Sequence, residues 1–163
     1  MQTKIKPNVK VFDFNKDLAD GLKDQARFWA KTKRELDLVP VTHTQAYDFT
    51  NSAKDIAVEL KTDSYDSSNF FFERYSSIQA QTPGGPWQSH GKNVDVLFYW
   101  FKNKQLEPYY GFALSELIEF LDCYVKKNKP RLIEVKNKGY TTGGYLIPIQ
   151  DVIHLAHIQQ GAA

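Results

Sequence analysis

Hydrophobic and charged residues alternate between positions 55 and 63, and this pattern predicts a β-strand with two unlike faces. One face carries the apolar side chains of Ile56, Val58 and Leu60. The other face carries Glu59 and Lys61, whose Cβ atoms lie roughly 7 Å apart on an extended strand. A carboxylate beside an ammonium group can hold a divalent cation and place a positive charge against a phosphate or an attacking water. The strand therefore indicates chemistry that is used on phosphodiester bonds.

The segments on either side of this strand are also predicted to be strands, and both carry further carboxylates. Residues 46–50 precede it and residues 69–75 follow it, with a polar turn before and after the central strand. If both connections are hairpins, Asp48 and Glu73 each lie opposite Glu59 in an antiparallel ladder, with Cβ atoms about 4.5–5.5 Å apart. Three carboxylates at that range repel one another unless a cation neutralises them. The pattern therefore predicts a cation site shared by three adjacent antiparallel strands.

The rest of the pattern predicts an α/β fold. Apolar residues recur at helical spacing from Asp13 to about Leu38, and again from Ser115, the expected cap, to Asn128. The apolar stripe of the first helix is Leu18, Leu22, Ala26, Trp29 and Leu36. The continuous apolar run at 94–101 is typical of a central buried strand. Further predicted elements are a loop at 76–93, strands at 106–112, 131–136 and 145–149, a turn at 140–144, and a terminal helix at 151–160. This order favours a sandwich in which helices flank a mixed central β-sheet.

The long loop at 76–93 is expected to be structured, because apolar strands follow it directly, and long structured loops are often functional. Gly84 and Gly85 favour a turn over a phosphate-binding loop, since no helix is predicted after them. Trp87, Gln88 and His90 either contact DNA or fold over the core. The sequence alone leaves both interpretations open.

Three features of the second half of the chain are assigned structural roles. Glu134 and Lys136 repeat the Glu-x-Lys spacing, but no strand with an Asp precedes them, so an edge strand is predicted. His154 and His157 stand three apart on the predicted terminal helix, and without an evident third metal ligand a surface or core position is favoured. Cys123 lies beside the apolar stripe of its helix and is expected to serve packing.

Composition fits a globular chain of one domain. The 163 residues are 42% hydrophobic and 14% aromatic, which argues against disorder. A domain at 13–163 is expected, preceded by a basic arm at 1–12. No apolar run reaches the length of a membrane span and no signal peptide opens the chain, so a cytoplasmic protein is expected. The single cysteine excludes an internal disulfide and a thiolate metal cluster.

Positive charge is concentrated in one segment near the end of the chain. Residues 126–138 contain six Lys or Arg and one Glu, whereas residues 44–76 contain three basic and six acidic residues. An acidic centre next to a basic segment fits a metal site with phosphate contacts around it. The residues expected to contact DNA are Lys126, Lys127, Lys129 and Arg131. A charge run of this kind also fits a solvated helix end and loop.

The order of these residues resembles a known family. Asp48 followed by Glu59-x-Lys61 is similar to the PD-(D/E)xK pattern of restriction-endonuclease-like nucleases. The likeness extends over roughly residues 45–150, through Asn-Phe-Phe-Phe-Glu, the Gly-Gly loop and the Val-Asp before an aromatic strand. This run of elements resembles a group of small members of the family that are often phage-encoded or resolvase-like. One departure is Tyr47, which stands where the motif has its proline.

The resemblance implies a DNA endonuclease that depends on Mg²⁺ or Mn²⁺ and that has the fold already predicted. Asp48, Glu59, Glu73 and the Leu60 carbonyl would hold the metal, and Lys61 would orient or deprotonate the attacking water. Family members also place an acidic residue on the first helix, and the candidates for it are Asp17, Asp20 and Asp24. The resemblance further implies DNA as partner, the possibility of a homodimer, and the host cytoplasm if the protein is phage-encoded.

Two other functions and one structural interpretation compete with the nuclease assignment. The chain is alternatively a catalytically degenerate nuclease fold that binds DNA or a host protein. It is alternatively an RNA-binding or host-modulating protein, which would require exposed Phe or Tyr beyond what the core needs. For Glu59 and Lys61 taken alone, the charged, solvated face of a hairpin sheet is also a sufficient explanation.

Overall fold

Two β-sheets and the helices packed against them make up the fold in the computed structural model, which describes residues 14–44 and 46–161. The α/β prediction, with a mixed sheet flanked by helices, is confirmed. The helices are α1 Phe14–Thr32, α2 Gly85–Gly91, α3 Leu114–Asn128 and α4 Ile149–Val152, with a 3₁₀ turn at Ile153–Leu155. The strands are β1 Val39–Pro40, β2 Phe49–Thr50, β3 Ala57–Asp63, β4 Asn69–Ser77, β5 Thr82–Pro83, β6 Val96–Phe101, β7 Tyr109–Ala113, β8 Ile133–Lys136, β9 Thr141–Pro148 and β10 Ala156–Gln160. The predicted arm at 1–12 lies outside the described residues.

The larger sheet has six strands in the order β1-β2-β3-β6-β7-β10, and only β3 and β6 run parallel. Its central strand β6 is buried, as its apolar run predicts. Successive side chains of a strand point to opposite faces. Phe98 and Trp100 therefore pack towards α1, where they surround Phe28, while Tyr99 and Phe101 pack on the opposite face. The larger sheet thus supplies both halves of the core.

The smaller sheet is antiparallel, with the order β5-β4-β9-β8, and it covers the second face of the larger one. The prediction that three adjacent antiparallel strands carry Asp48, Glu59 and Glu73 is therefore wrong. Strand β4 pairs with β9, and Glu73 lies opposite Gly144 rather than Glu59. The reason lies in β4 itself, because its fully buried Phe70 packs on the ring of Tyr99 in the larger sheet, at 4.8 Å between ring centroids. A strand with this aromatic face is more stable in a second sheet that packs on the larger sheet than as an added strand at the edge of the larger sheet.

Helix α1 is shorter than predicted and uses a different face. It ends at Thr32 rather than near Leu38, because the chain turns back there and the Trp29 indole N–H donates to the Leu38 carbonyl at 2.9 Å. Leu18 and Leu22 remain exposed, so the predicted apolar stripe is wrong in its first half. The buried residues are Phe28 and Thr32.

The end of the chain differs most from its prediction. The residues predicted as a terminal helix form α4, a 3₁₀ turn and strand β10, which pairs with the open edge of β7. Backbone groups of β7 at that edge need partners, and a strand supplies them where a helix does not. The predicted turn at 140–144 is also wrong, since β9 begins at Thr141 and the turn closes between Asn137 and Tyr140.

Helix α3 confirms its predicted position but not its details. Leu117 and Leu121 are fully buried along the predicted stripe. The residue at the N-cap is Ala113 rather than Ser115, and no side chain caps the helix. Cys123 is exposed, so its predicted packing role is wrong. In the described part of the chain, no helix is both long enough and apolar enough to span a membrane.

Candidate active site

Strand β3 directs Glu59 and Lys61 towards the smaller sheet. The neighbouring apolar residues Val58 and Leu60 pack on the α1 side, so the alternation of the strand places the two charged residues on the other face. A cavity of about 40 Å³ lies there, between the two sheets and α2. Its lining includes Glu59, Leu60, Lys61, Glu73, Gly85 and Ser89.

Asp48 lies beside Glu59, at the start of β2. Phe49 pairs with Val58, so the next step of the same register sets Asp48 opposite Glu59, as the sequence predicts. One carboxylate oxygen of Asp48 accepts a hydrogen bond from the Leu60 backbone N–H at 2.8 Å. The other accepts one from the Gln25 side-chain amide at 2.5 Å. Asp48 is therefore held from both β3 and α1.

Burial makes this pair of carboxylates electrostatically costly. It is the main reason that the pKa of Glu59 rises to about 8, and the neighbouring Asp48 charge raises it further. Burial likewise raises the pKa of Asp48, against the hydrogen bond from the Leu60 N–H. Two lysines, Lys92 and then Lys61, partly offset the rise at Glu59. A pair of this kind favours a proton or a bound cation.

Glu73 reaches the site from the opposite layer. Burial raises its pKa, and the Lys61 ammonium and a hydrogen bond from the Gly85 backbone N–H both oppose that rise. Within residues 14–44 and 46–161, no three His, Cys, Asp or Glu side chains come close enough to hold one metal ion together. The predicted cluster of three carboxylates is therefore replaced by an Asp48–Glu59 pair, and Lys61 interacts electrostatically with both Glu59 and Glu73.

The Gly-Gly segment fixes the wall of the cavity next to Glu73. A helix, α2, does follow it, so the prediction of a simple turn is wrong. Gly84 is the N-cap residue of α2, and a Cβ there would lie 2.5 Å from Glu73 Oε1 and 2.7 Å from the Ser76 backbone nitrogen. Gly85 has a φ of +45°, and a Cβ on it would lie 2.7 Å from the Glu73 carbonyl oxygen. Both positions therefore require glycine for the helix to approach Glu73.

Two residues of the site were not predicted from the sequence. Gln25 lies on the buried face of α1, three residues before Phe28 and seven before Thr32. A polar residue on an apolar helix face is a signal that would identify it. Lys92 ends α2, and its effect on Glu59 follows only from the position of that helix.

The two interpretations of the 76–93 segment, contact with DNA and packing over the core, apply to different residues. Trp87 folds over the core, since its partly buried ring packs against the larger core cluster. Its indole N–H donates to Asp122 of α3 at 2.9 Å, and the Arg74 guanidinium stacks on its ring at 4.9 Å. Gln88 and His90 are exposed. The Trp87–Asp122 contact also places α3 beside α2. The predicted DNA-contacting residues Lys126, Lys127, Lys129 and Arg131 are exposed at the end of α3 and in the loop that follows.

The other candidate acids do not join this site. Asp24 accepts a hydrogen bond from Lys102 at 2.7 Å and forms an ion pair with it. Asp17 and Asp20 are exposed on α1. The second Glu-x-Lys pair, Glu134 and Lys136, is exposed on β8 at the edge of the smaller sheet, as predicted.

The two histidines lie on different elements and do not face one another as a pair. His154 lies in the 3₁₀ turn and packs edge-on against the ring of Phe120 in α3, at 5.5 Å between ring centroids. His157 lies on β10 and pairs with Glu116 at 2.8 Å. Their predicted spacing on one helix is wrong, and the assignment to surface or packing positions holds.

Comparisons with known proteins add little to what the geometry of the site shows. No protein-family model matches the chain, and no curated protein matches it in sequence. Among solved structures it is similar to D212, a nuclease from a fusselovirus, with 13% sequence identity, a TM-score of 0.31 and 85% of each chain covered. A TM-score of this size carries no weight for fold or activity.

Proposed function

We propose that this protein is a nuclease that hydrolyses DNA phosphodiester bonds with the help of Mg²⁺ or Mn²⁺. The observation that carries the proposal is the half-buried Asp48–Glu59 pair with Lys61 next to Glu59 on the same face of β3. A solvated hairpin face would leave these carboxylates in water, with no cause to raise their pKa. The partial burial of the pair supports the nuclease interpretation over that structural one.

The donor set fits a hard divalent cation. Carboxylate and carbonyl oxygens are the ligands such cations prefer, and Asp48, Glu59 and the Leu60 carbonyl would supply them. Glu73 lines the same cavity from the smaller sheet and interacts with Lys61, and from there it would polarise the site or hold a second cation. A cation bound there lowers the pKa of a bound water and neutralises negative charge in the transition state.

The side chains around the pair have separate tasks in this proposal. Gln25 and the Leu60 N–H each donate a hydrogen bond to Asp48 and so fix the direction of its carboxylate. Lys61 lines the cavity with Glu59 and Glu73 and interacts electrostatically with both. Its ammonium would orient the attacking water and stabilise charge on the phosphate as the bond breaks.

The test compares the two Glu-x-Lys pairs of the chain. Cleavage of labelled linear, nicked and four-way DNA is measured with Mg²⁺, Mn²⁺ or EDTA. We expect Lys61→Ala to abolish cleavage while the protein remains folded, because Lys61 lies on the cavity face and its loss opens no hole in the core. Glu59→Ala should lose metal affinity together with activity.

Glu134→Ala is the matched control, because Glu134 has the same local sequence spacing but lies exposed on an edge strand. It should retain full activity. If Lys61→Ala keeps Mg²⁺-dependent cleavage, or Glu134→Ala loses it, the active site has been assigned to the wrong strand.

The basic end of α3 is proposed to bind the DNA backbone. Each phosphate contact adds about 0.9 to the slope of log affinity against log salt on duplex DNA. The triple replacement of Lys127, Lys129 and Arg131 by Ala should therefore weaken binding and flatten this slope, with cleavage at saturating DNA nearly unchanged. An unaltered slope would make the segment an ordinary solvated surface.

A DNA-binding protein without catalysis is the second candidate. It is favoured by the separation of Glu73 from the Asp48–Glu59 pair, which leaves no group of three metal-binding side chains among the described residues. Binding of DNA by the wild type without cleavage in either Mg²⁺ or Mn²⁺ would favour this candidate.

A further inference from the structure

One face of the short helix α2 forms part of the cavity. Gly85 and Ser89 both line the cavity, and they stand four residues apart on the helix. Lys92 follows Ser89 by three residues, so it continues the same face. Its backbone is close to helical, with φ −96° and ψ 11°, and its N–H donates to the carbonyls of Gln88 and Ser89. The spacing therefore places Lys92 on the cavity side of α2, at its exposed C-terminal end and just outside the cavity lining.

The electrostatics of Glu59 agree with this position. Lys92 interacts electrostatically with Glu59, and more strongly than Lys61 does. Coulomb interactions weaken with distance and with solvent exposure. The interaction of an exposed Lys92 with the half-buried Glu59 therefore places its ammonium near the site.

No direct contact occupies the Lys92 ammonium. Among the residues that the structure describes, its side chain takes part in no ion pair and no hydrogen bond, and its interaction with Glu59 acts over a longer distance than an ion pair. Glu59 and Glu73 line the cavity, so a phosphate that approaches it needs nearby cations to offset its own charge and any charge on these carboxyls. A lysine without an ion pair at the C-terminal end of α2 supplies such a positive charge on the side opposite β3.

We propose that Lys92 is a substrate-binding residue that contacts a backbone phosphate of DNA from the α2 side of the cavity. Lys61 then acts from the β3 side and Lys92 from the C-terminal end of α2, with the DNA strand between them. This inference rests on the proposed nuclease function. It predicts that the loss of Lys92 acts mainly on KM and on salt dependence, whereas the loss of Lys61 acts on kcat.

A purely structural role for Lys92 has a different signature. Lysines near the C-terminus of a helix interact favourably with its last carbonyls. Loss of that interaction would lower thermal stability and leave KM and the salt slope unchanged. Lys92→Arg keeps the positive charge. If Lys92 binds substrate, KM is raised in Lys92→Ala and restored in Lys92→Arg; if its role is structural, KM is the same in both variants as in the wild type.

The experiment compares Lys92→Ala, Lys92→Arg and Lys23→Ala with the wild type. Lys23 is an exposed lysine of α1, outside the cavity lining, and provides the same change of charge. Cleavage of a short DNA duplex with Mg²⁺ gives kcat and KM, and binding of the same duplex in EDTA gives the salt slope. We expect Lys92→Ala to raise KM about tenfold, the lower bound for losing a charged hydrogen bond. The salt slope of Lys92→Ala should fall by about 0.9. Lys92→Arg should recover most of the wild-type KM and salt slope, and Lys23→Ala should match the wild type in both.

The outcomes separate this inference from the proposed function. If the wild type cleaves and Lys92→Ala behaves like Lys23→Ala, the role of Lys92 is refuted and the nuclease stands. If the wild type binds but does not cleave, the nuclease fails, while a smaller salt slope in Lys92→Ala still supports the phosphate contact. Absence of both binding and cleavage in the wild type overturns both.

Discussion

The hydroxyl group of Tyr99 joins the two sheets, and its removal is predicted to be among the more costly single changes in the core. This hydroxyl donates to Asp63 Oδ2 at 2.5 Å and accepts from the Phe71 backbone N–H at 2.9 Å. Tyr99 and Asp63 belong to the larger sheet and Phe71 to the smaller one. Tyr99 is 0% exposed, so water cannot replace the lost partner without rearrangement.

Tyr99→Phe removes one oxygen atom and leaves the packing of the ring in place. A hydrogen bond to a charged group contributes about 1.5–3 kcal/mol, and an unsatisfied buried N–H costs about 1–3 kcal/mol. The two effects are not fully additive, so we expect a loss of about 3–5 kcal/mol in the free energy of unfolding. In a chain of this size that lowers Tm by about 10 °C.

Tyr110→Phe is the matched control. Tyr110 is 5% exposed on the neighbouring strand, and its hydroxyl has no hydrogen-bond partner in the part of the chain that the structure describes. Urea unfolding followed by circular dichroism gives both free energies, with the slope against urea as a check on two-state behaviour. A Tyr99→Phe variant no less stable than Tyr110→Phe would refute the bridging role of the hydroxyl.

Two further predictions concern the cavity. Gly84→Ala places a Cβ 2.5 Å from Glu73 Oε1 and 2.7 Å from the Ser76 backbone, so it should lower the free energy of unfolding by about 1–3 kcal/mol and reduce cleavage. Gly91→Ala, at the other end of α2 with no atom within 4 Å of the new Cβ, should do neither, and equal urea midpoints for the two variants would contradict the steric argument. In EDTA, the free energy of unfolding should fall as pH rises from 4.5 towards 8, because folded Glu59 holds its proton up to a pKa of about 8 and the unfolded chain releases it near 4.5. The fall is at most about 1.4 kcal/mol per pH unit, and Glu59→Gln should flatten it; a variant with the wild-type pH dependence would show that another group is responsible.

Local patterns predicted much of the fold. The alternation around Glu59, the apolar run of β6 and the periodicity of α3 each report a property of one segment, and each element was found. The register between β2 and β3 was also predictable, because a short connection between two strands forces a hairpin.

The arrangement of segments far apart in sequence was not predictable in the same way. In sequence, Glu73 is one hairpin away from Glu59, but the aromatic residues of β4 pack as a second layer. Nothing in the local sequence distinguishes a strand added to the same sheet from a strand of a second sheet. The prediction for the end of the chain was wrong for a similar reason, since β10 forms only because the edge of β7 is open to it. Gln25 and Lys92 joined the site only through the packing of their helices.

The parallel pairing of β3 with β6 has a consequence for how the molecule can vary. Two parallel neighbours require a long crossover between them, and here the crossover spans residues 64–95. It contains β4, β5 and α2, and therefore Glu73, the two glycines and Lys92. Strand β3 and the far wall of its cavity are thus separate stretches of chain. Exchange of the crossover for one of different length or charge would change the far wall of the cavity and leave Asp48, Glu59 and Lys61 in place.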